Sequence, residues 1–485
     1  MTSASDRDSH RRVLSGGIIT LLSQASVMIL SLLAQRVILS TLTKEDNGEL
    51  FLVRRTVELF SLLLIDAGFN PGALREVSRD RTQQHAILST IGLYRIAVWI
   101  VLLGAMVMYE LAVGANPTGV VLWACYLLVA GRASLLRYMY EIPQRSEMRF
   151  AFPLLYMVLD SALLTIGVYL YQDELSPTMV LAIFAASVVP GMLLQAYATG
   201  WKLISIRHFR LAVLRQHIHL AFPVWITLVL MVVHDRLDAL VLSVFAGKEA
   251  VGIYGAAYQM LVPFTTTLPV AAGSVLLPIV ARLSQSDPIR ASMYVATVVR
   301  ILVAAGLVIA SVSSIFVPDL ILLMTSNVYA DDSLVFTVLL WSMAPIFVIT
   351  YAIETMNAYG HQRLNIRIVA TLAVATVVSG IVFIPMYDAL GASITKLVAV
   401  AVASAMAVVL VVRVINRSLR ASLILRLVAA AAVCVALALV LPLIVHRYVA
   451  GPVTLLCSCA TMFLLGIVRV TDVRLVMGAR RGRTK

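Results

Sequence analysis

Charge is what this sequence has least of. Only 13% of its 485 residues are Asp, Glu, Lys or Arg, against about 25% in a soluble globular domain. So few charges cannot clothe a water-facing surface, which excludes a soluble enzyme or scaffold. Cysteine is scarce too. Cys125, Cys434, Cys457 and Cys459 all stand in apolar runs, where cysteine behaves as a small buried hydrophobe. Cys457-x-Cys459 lacks the spacing, and any His or acidic neighbour, that a metal site needs. G-x-x-x-x-G-K-[ST], H-E-x-x-H and G-x-S-x-G are all missing. An enzyme is therefore not expected, no cofactor is implied, and any transport must draw on a gradient or potential. Long polar loops are missing as well; the longest, Pro71–Ala86 and Trp201–Ile218, are too short for an extramembrane domain.

What is present is hydrocarbon: 61% of the residues are hydrophobic and the mean hydropathy is +0.94. Apolar runs of at least 18 residues recur throughout, each long enough to cross roughly 30 Å of bilayer. The predicted fold class is an all-α polytopic membrane protein with fourteen transmembrane helices. The net charge of +13 gathers on alternate loops. One side holds 27 Lys and Arg residues, among them Arg75, Arg79 and Arg81; Lys202, Arg207, Arg210 and Arg215; Arg363 and Arg367; and Arg413, Arg417 and Arg420. The other holds only Lys44, Lys248 and Arg447. Lys and Arg mark the cytoplasmic side, so an even span number with both termini cytoplasmic is expected, and nucleic acid is not a partner. The first apolar run, from Val13 to Leu39, is too long for a signal-peptide core and reads as a retained span.

Lys44-Glu45-Asp46-Asn47-Gly48 and Lys248-Glu249-Ala250-Val251-Gly252 share a K-E-x-x-G pattern in two outer-side hairpins. Each hairpin opens a block of six spans. The blocks read as two lobes related by a pseudo-twofold axis along the membrane normal. The expected divisions are a cytoplasmic segment 1–14, an N-lobe 15–200, a linker 201–218, a C-lobe 219–412, an appended helix pair 425–470 and a basic tail 471–485. A midplane cleft between lobes is the usual substrate site in such carriers. In the linker, Arg207, His208, Phe209 and Arg210 are suited to an interface with anionic lipid.

Charges buried in spans cost about 2.5 to 3.5 kcal/mol each on insertion scales, so they mark candidate sites. Arg54, Arg55, Arg95, Arg132 and Arg236 are candidate substrate ligands, because a planar guanidinium bonds two phosphate oxygens at once. Tyr258 and Gln259 are candidates beside them, although packing of the small residues Gly252, Gly255, Ala256 and Ala257 is the simpler reading of that stretch. Glu58, His234, Asp235 and Asp238 are candidate coupling or gating groups; a helix-pairing polar cluster is the competing reading. Arg36, Asp66, Arg300 and Glu354 lie near span ends, where they are expected to reach the interface.

The stretch from Arg236 and Asp238 through Gly252-Ile253-Tyr254-Gly255-Ala256-Ala257-Tyr258-Gln259 resembles the signature of bacterial polysaccharide-biosynthesis exporters. These are lipid-linked oligosaccharide flippases of the multidrug/oligosaccharidyl-lipid/polysaccharide (MOP) superfamily. Leu42–Gly48, Asp66–Arg75, Leu277-Pro278 and Ile384-Pro385 with Leu390-Gly391-Ala392 add to the likeness, with Asn47 replacing the family's usual aromatic. The resemblance implies spans 1, 2, 7 and 8 around a cavity. It also implies alternating-access export of undecaprenyl-diphosphate-linked oligosaccharide across the bacterial cytoplasmic membrane. Proton, sodium or potential coupling, and a polymerase or glycosyltransferase partner, would accompany it. A lipid II flippase, a cation-coupled multidrug antiporter and a non-transporting assembly protein are the alternatives.

Overall fold

The computed structural model describes residues 4–113, 141–144, 151–200, 204–359, 361–414 and 421–469. Among the described residues there is no strand, and eight helices are long and apolar enough to cross a membrane. Most of the expected fourth span, with Cys125 and Arg132, lies outside the described residues. The chain divides into two compact units, Met1–Ala256 and Ala257–Lys485.

In the first unit α1 (Ala4–Thr41) leads into α2 (Lys44–Phe60) through a tight turn. Thr43 caps α2: its hydroxyl accepts from the Asp46 amide at 3.1 Å, and Glu45 and Asp46 sit in the first turn. There their carboxylates complement the helix dipole. Helices α3 (Phe69–Arg79), α4 (Gln84–Val113), α5 (Ala151–Leu170) and α6 (Pro177–Thr199) follow. α5 packs on both α1 and α6. Val37, Ile38, Leu50, Val53, Val57, Val168, Val180 and Leu181 form the core between these helices.

The sequence suggests one continuous second span over 48–70, but the structure interrupts it. Ser61–Asp66 widen into a π-turn. Ala67 (φ 44°) and Gly68 (φ 72°) then adopt left-handed conformations that start α3 in a new direction. The widened turn leaves carbonyls to be satisfied from outside. Trp225 Nε1 donates to the Leu63 carbonyl at 2.8 Å, the Tyr94 hydroxyl to Leu64 at 3.3 Å and Arg95 to Asp66 at 3.4 Å.

α7 runs from Leu211 to Ser286 and breaks at Gly247 (φ 80°, ψ −175°), within the predicted turn between spans 7 and 8. The first arm is 211–246 and the second 248–286. Neither α2 nor α7 is among the eight strongly apolar helices; these two carry the charged signature.

The second unit contains α8 (Pro288–Ile315), α9 (Val317–Thr325), α10 (Ser333–Leu340), α11 (Met343–Ala358), α12 (Asn365–Val414), α13 (Ala421–Ile444) and α14 (Arg447–Leu464). α12 breaks at Asp388 (φ 49°), between the Ile384-Pro385 and Leu390-Gly391-Ala392 pieces of the family likeness. α13 and α14 pack on α8, with Ala304, Leu307, Ala430, Cys434 and Met462 in the contact. Cys434 is buried.

Candidate functional site

The two K-E-x-x-G hairpins meet face to face inside the first unit. A Cβ placed on Gly48 would lie 1.9 Å from the Lys248 carbonyl oxygen, and one on Gly252 would lie 1.8 Å from that of Lys44. Only glycine allows the backbones this close. Asn47 Nδ2 donates to the Gly252 carbonyl at 2.9 Å, and Lys248 Nζ pairs with Glu49 at 2.8 Å.

From this contact a stripe runs along α2 through Gly48, Phe51, Arg55 and Glu58, one helical face. Phe51 lies against Tyr254, ring edge to face at 6.3 Å. A side chain on Gly255 would strike the same ring, at 2.7 Å. Arg55 is buried, with its guanidinium 4.6 Å over the Phe51 ring, and it reaches Glu58 at 3.6 Å. Arg236, from the first arm of α7, reaches the same Glu58 carboxylate at 3.1 Å. Two guanidinium groups from two helices thus converge on one carboxylate. Arg54 points elsewhere, 4.9 Å over the Phe184 ring of α6.

The acidic half lies one turn away. Asp238 is buried and accepts from the Tyr254 hydroxyl and the Ala239 amide. Asp238 and Tyr254 stand at similar separations either side of Gly247, so the hairpin brings them together. His234 is buried and lies 3.8 Å from Asp235.

Arg95 on α4 is fully buried and bonds Asp66 at 2.9 Å and Asn70 at 2.7 Å. Asp66 was expected to reach the interface; the left-handed turn instead holds it inward as Arg95's partner. In the second unit Tyr258 lies under the Lys396 ammonium, 5.1 Å from its ring centre, and Lys396 is buried. Gln259 is partly exposed. Arg132 falls outside the described residues. Sequence reasoning passed over Asn47, Asn70 and Lys396 as contributors. Asn47 carried a signal, since it replaces an aromatic within the repeat.

Chemically, a carboxylate held by two guanidinium groups marks a place where an oxyanion can exchange for it, since both offer paired N–H donors. Among the described residues no group of three or more His, Cys, Asp and Glu is placed to hold a metal ion.

The profile of a family described as polysaccharide biosynthesis protein matches residues 13–284. The chain belongs to that family. The match includes both hairpins and every residue of the Arg55–Glu58–Arg236 group. No curated protein sequence matches it. Among solved structures, this family member is similar to the lipid II flippase MurJ in an inward closed conformation. The TM-score is 0.72 at 12% identity, over 92% of this chain and 99% of that one. It is similar to an inward-facing multidrug resistance MATE family transporter of the MOP superfamily, with a TM-score of 0.65 at 15% identity, over 83% and 100%. A MOP superfamily transporter from Pyrococcus furiosus, described as having a binding pocket of reverse polarity, gives 0.59 at 14% identity, over 84% and 95%. The fold is that of MOP transporters. These neighbours are a flippase and two transporters by their descriptions, and the likeness to them is one of fold.

Proposed function

We propose that the protein flips polyprenyl-diphosphate-linked oligosaccharide across the bacterial cytoplasmic membrane by alternating access, both termini remaining cytoplasmic. The observation that carries this reading is the convergence of Arg55 and Arg236 on Glu58. In the proposed cycle the substrate's diphosphate displaces Glu58 and takes both guanidinium groups. The prenyl chain stays in lipid, where its transfer costs nothing. Family membership favours a saccharide cargo over a drug. A cation antiporter would need Asp238 open to an ion, whereas its carboxylate already accepts from Tyr254 and Ala239. Energy is drawn from a proton or sodium gradient or the membrane potential, and a polymerase or glycosyltransferase works beside it.

The test uses proteoliposomes loaded with fluorescent undecaprenyl-diphosphate saccharide, scored by protection from an external quencher. Arg55→Gln and Arg236→Gln should each slow transbilayer movement at least tenfold, a loss of about 1.4 kcal/mol of transition-state binding. Unchanged rates in both variants would refute the assignment.

A further inference from the structure

Residues 204–215 carry three arginines and form a segment fixed to the first unit. Their backbone is tied to the start of α4. The Ser205 amide donates to the Ser89 hydroxyl and the Arg210 amide to the Thr90 hydroxyl, both at 3.1 Å. Ser89 and Thr90 are fully buried. The Ile204 side chain packs on Gly92, where a Cβ would come within 3.0 Å of it. A short 3-10 turn, Ile206–His208, is capped by the Ser205 hydroxyl, which accepts from the Arg207 amide at 3.4 Å. His208 lies against His85, ring centres 5.6 Å apart.

The outward side of this anchored segment is unusual for a loop. Ile206 is 80% exposed, Leu211 69% and Phe209 41%, while Arg207, Arg210 and Arg215 are exposed beside them. Large apolar side chains interleaved with guanidinium groups match the boundary between acyl chains and acidic headgroups. Water alone would leave the apolar groups unpaid in contact; lipid tails alone would strand the charges.

We infer that residues 204–215 are a seat for acidic phospholipid. Ile206, Phe209 and Leu211 dip to acyl depth, and Arg207, Arg210 and Arg215 hold headgroup phosphates. The inference stands on different residues from the flipping site and does not depend on the cargo.

The experiment uses the full chain in neutral detergent, with retained lipids counted by native mass spectrometry. Phosphatidylglycerol, phosphatidylcholine and undecaprenyl diphosphate are offered separately to the native protein, to R207Q/R210Q/R215Q and to R207K/R210K/R215K. The native protein should prefer phosphatidylglycerol to phosphatidylcholine. At about fivefold per cation, the Gln variant should lose that preference and the Lys variant keep it. Three results would overturn the seat: no preference in the native protein, preference surviving in the Gln variant, or loss in the Lys variant as well. Retention of undecaprenyl diphosphate but not phosphatidylglycerol through these arginines would overturn it too, by making them a cargo contact. Flipping rates are measured separately, so failure here leaves the transport reading to its own test.

Discussion

Arg95 is fully buried and directs its donors to Asp66 and Asn70. Removing one member of a buried ion pair strands the other, at a cost of about 3 kcal/mol or more. Arg95→Met should therefore lower the melting temperature in detergent, and flipping should fall only in proportion to folded protein. A stable variant with lost transport would instead make Arg95 a cargo ligand. Tyr254→Phe takes the hydroxyl donor from the buried Asp238 carboxylate, which costs about 1 to 3 kcal/mol. A thermal-shift assay should register this as destabilisation, partly relieved when Asp238→Asn is added. The sequence marked Arg55, Arg95 and Arg236 as one class because charge inside a span is all it displays. What separates them is a partner distant in the chain: Asp66 lies in a left-handed turn that hydropathy does not reveal. Asp238 and Tyr254, by contrast, were both visible within one motif, and their pairing follows from the hairpin at Gly247.

At the level of elements, α2 is shaped by what crosses it. Its first turns are held to the second arm of α7 by bare backbone, and the π-turn that follows it offers carbonyls to Trp225, Tyr94 and Arg95. Gly48→Ala would force a methyl into the Lys248 carbonyl. Overpacking of this kind costs typically about 1 to 3 kcal/mol. The expected outcome is slower flipping with raised labelling of a cysteine placed at Glu49; labelling unchanged from the glycine parent would show that the hairpins do not touch. The break at Gly247 was legible as the turn of the second hairpin, and the break at Asp388 only as a gap between two apolar runs. The break at Ala67-Gly68 was not, since Ser61–Asp66 reads as ordinary apolar helix until the carbonyl partners are known.

Across the whole molecule, the loop charges predict sidedness. A reporter enzyme that is active only outside the cytoplasm should work when fused after Lys248 and stay silent when fused after Arg363. The opposite result would invert the topology on which the transport direction rests. Helical class and family were readable from composition and from the two hairpins, because hydropathy and short motifs survive without coordinates. The sharing of Glu58 by Arg55 and Arg236 was not readable, for it joins helices far apart in sequence.

The paired glycines also constrain how the hairpins tolerate change in length. An added residue between Lys44 and Gly48 would turn the glycine about 100° around its helix and present a side chain to Lys248 instead. Glu45 and Glu249 are exposed and free to vary in kind. Insertions and deletions of single residues in either hairpin should thus be lethal to activity where substitutions at the same two glutamates are silent.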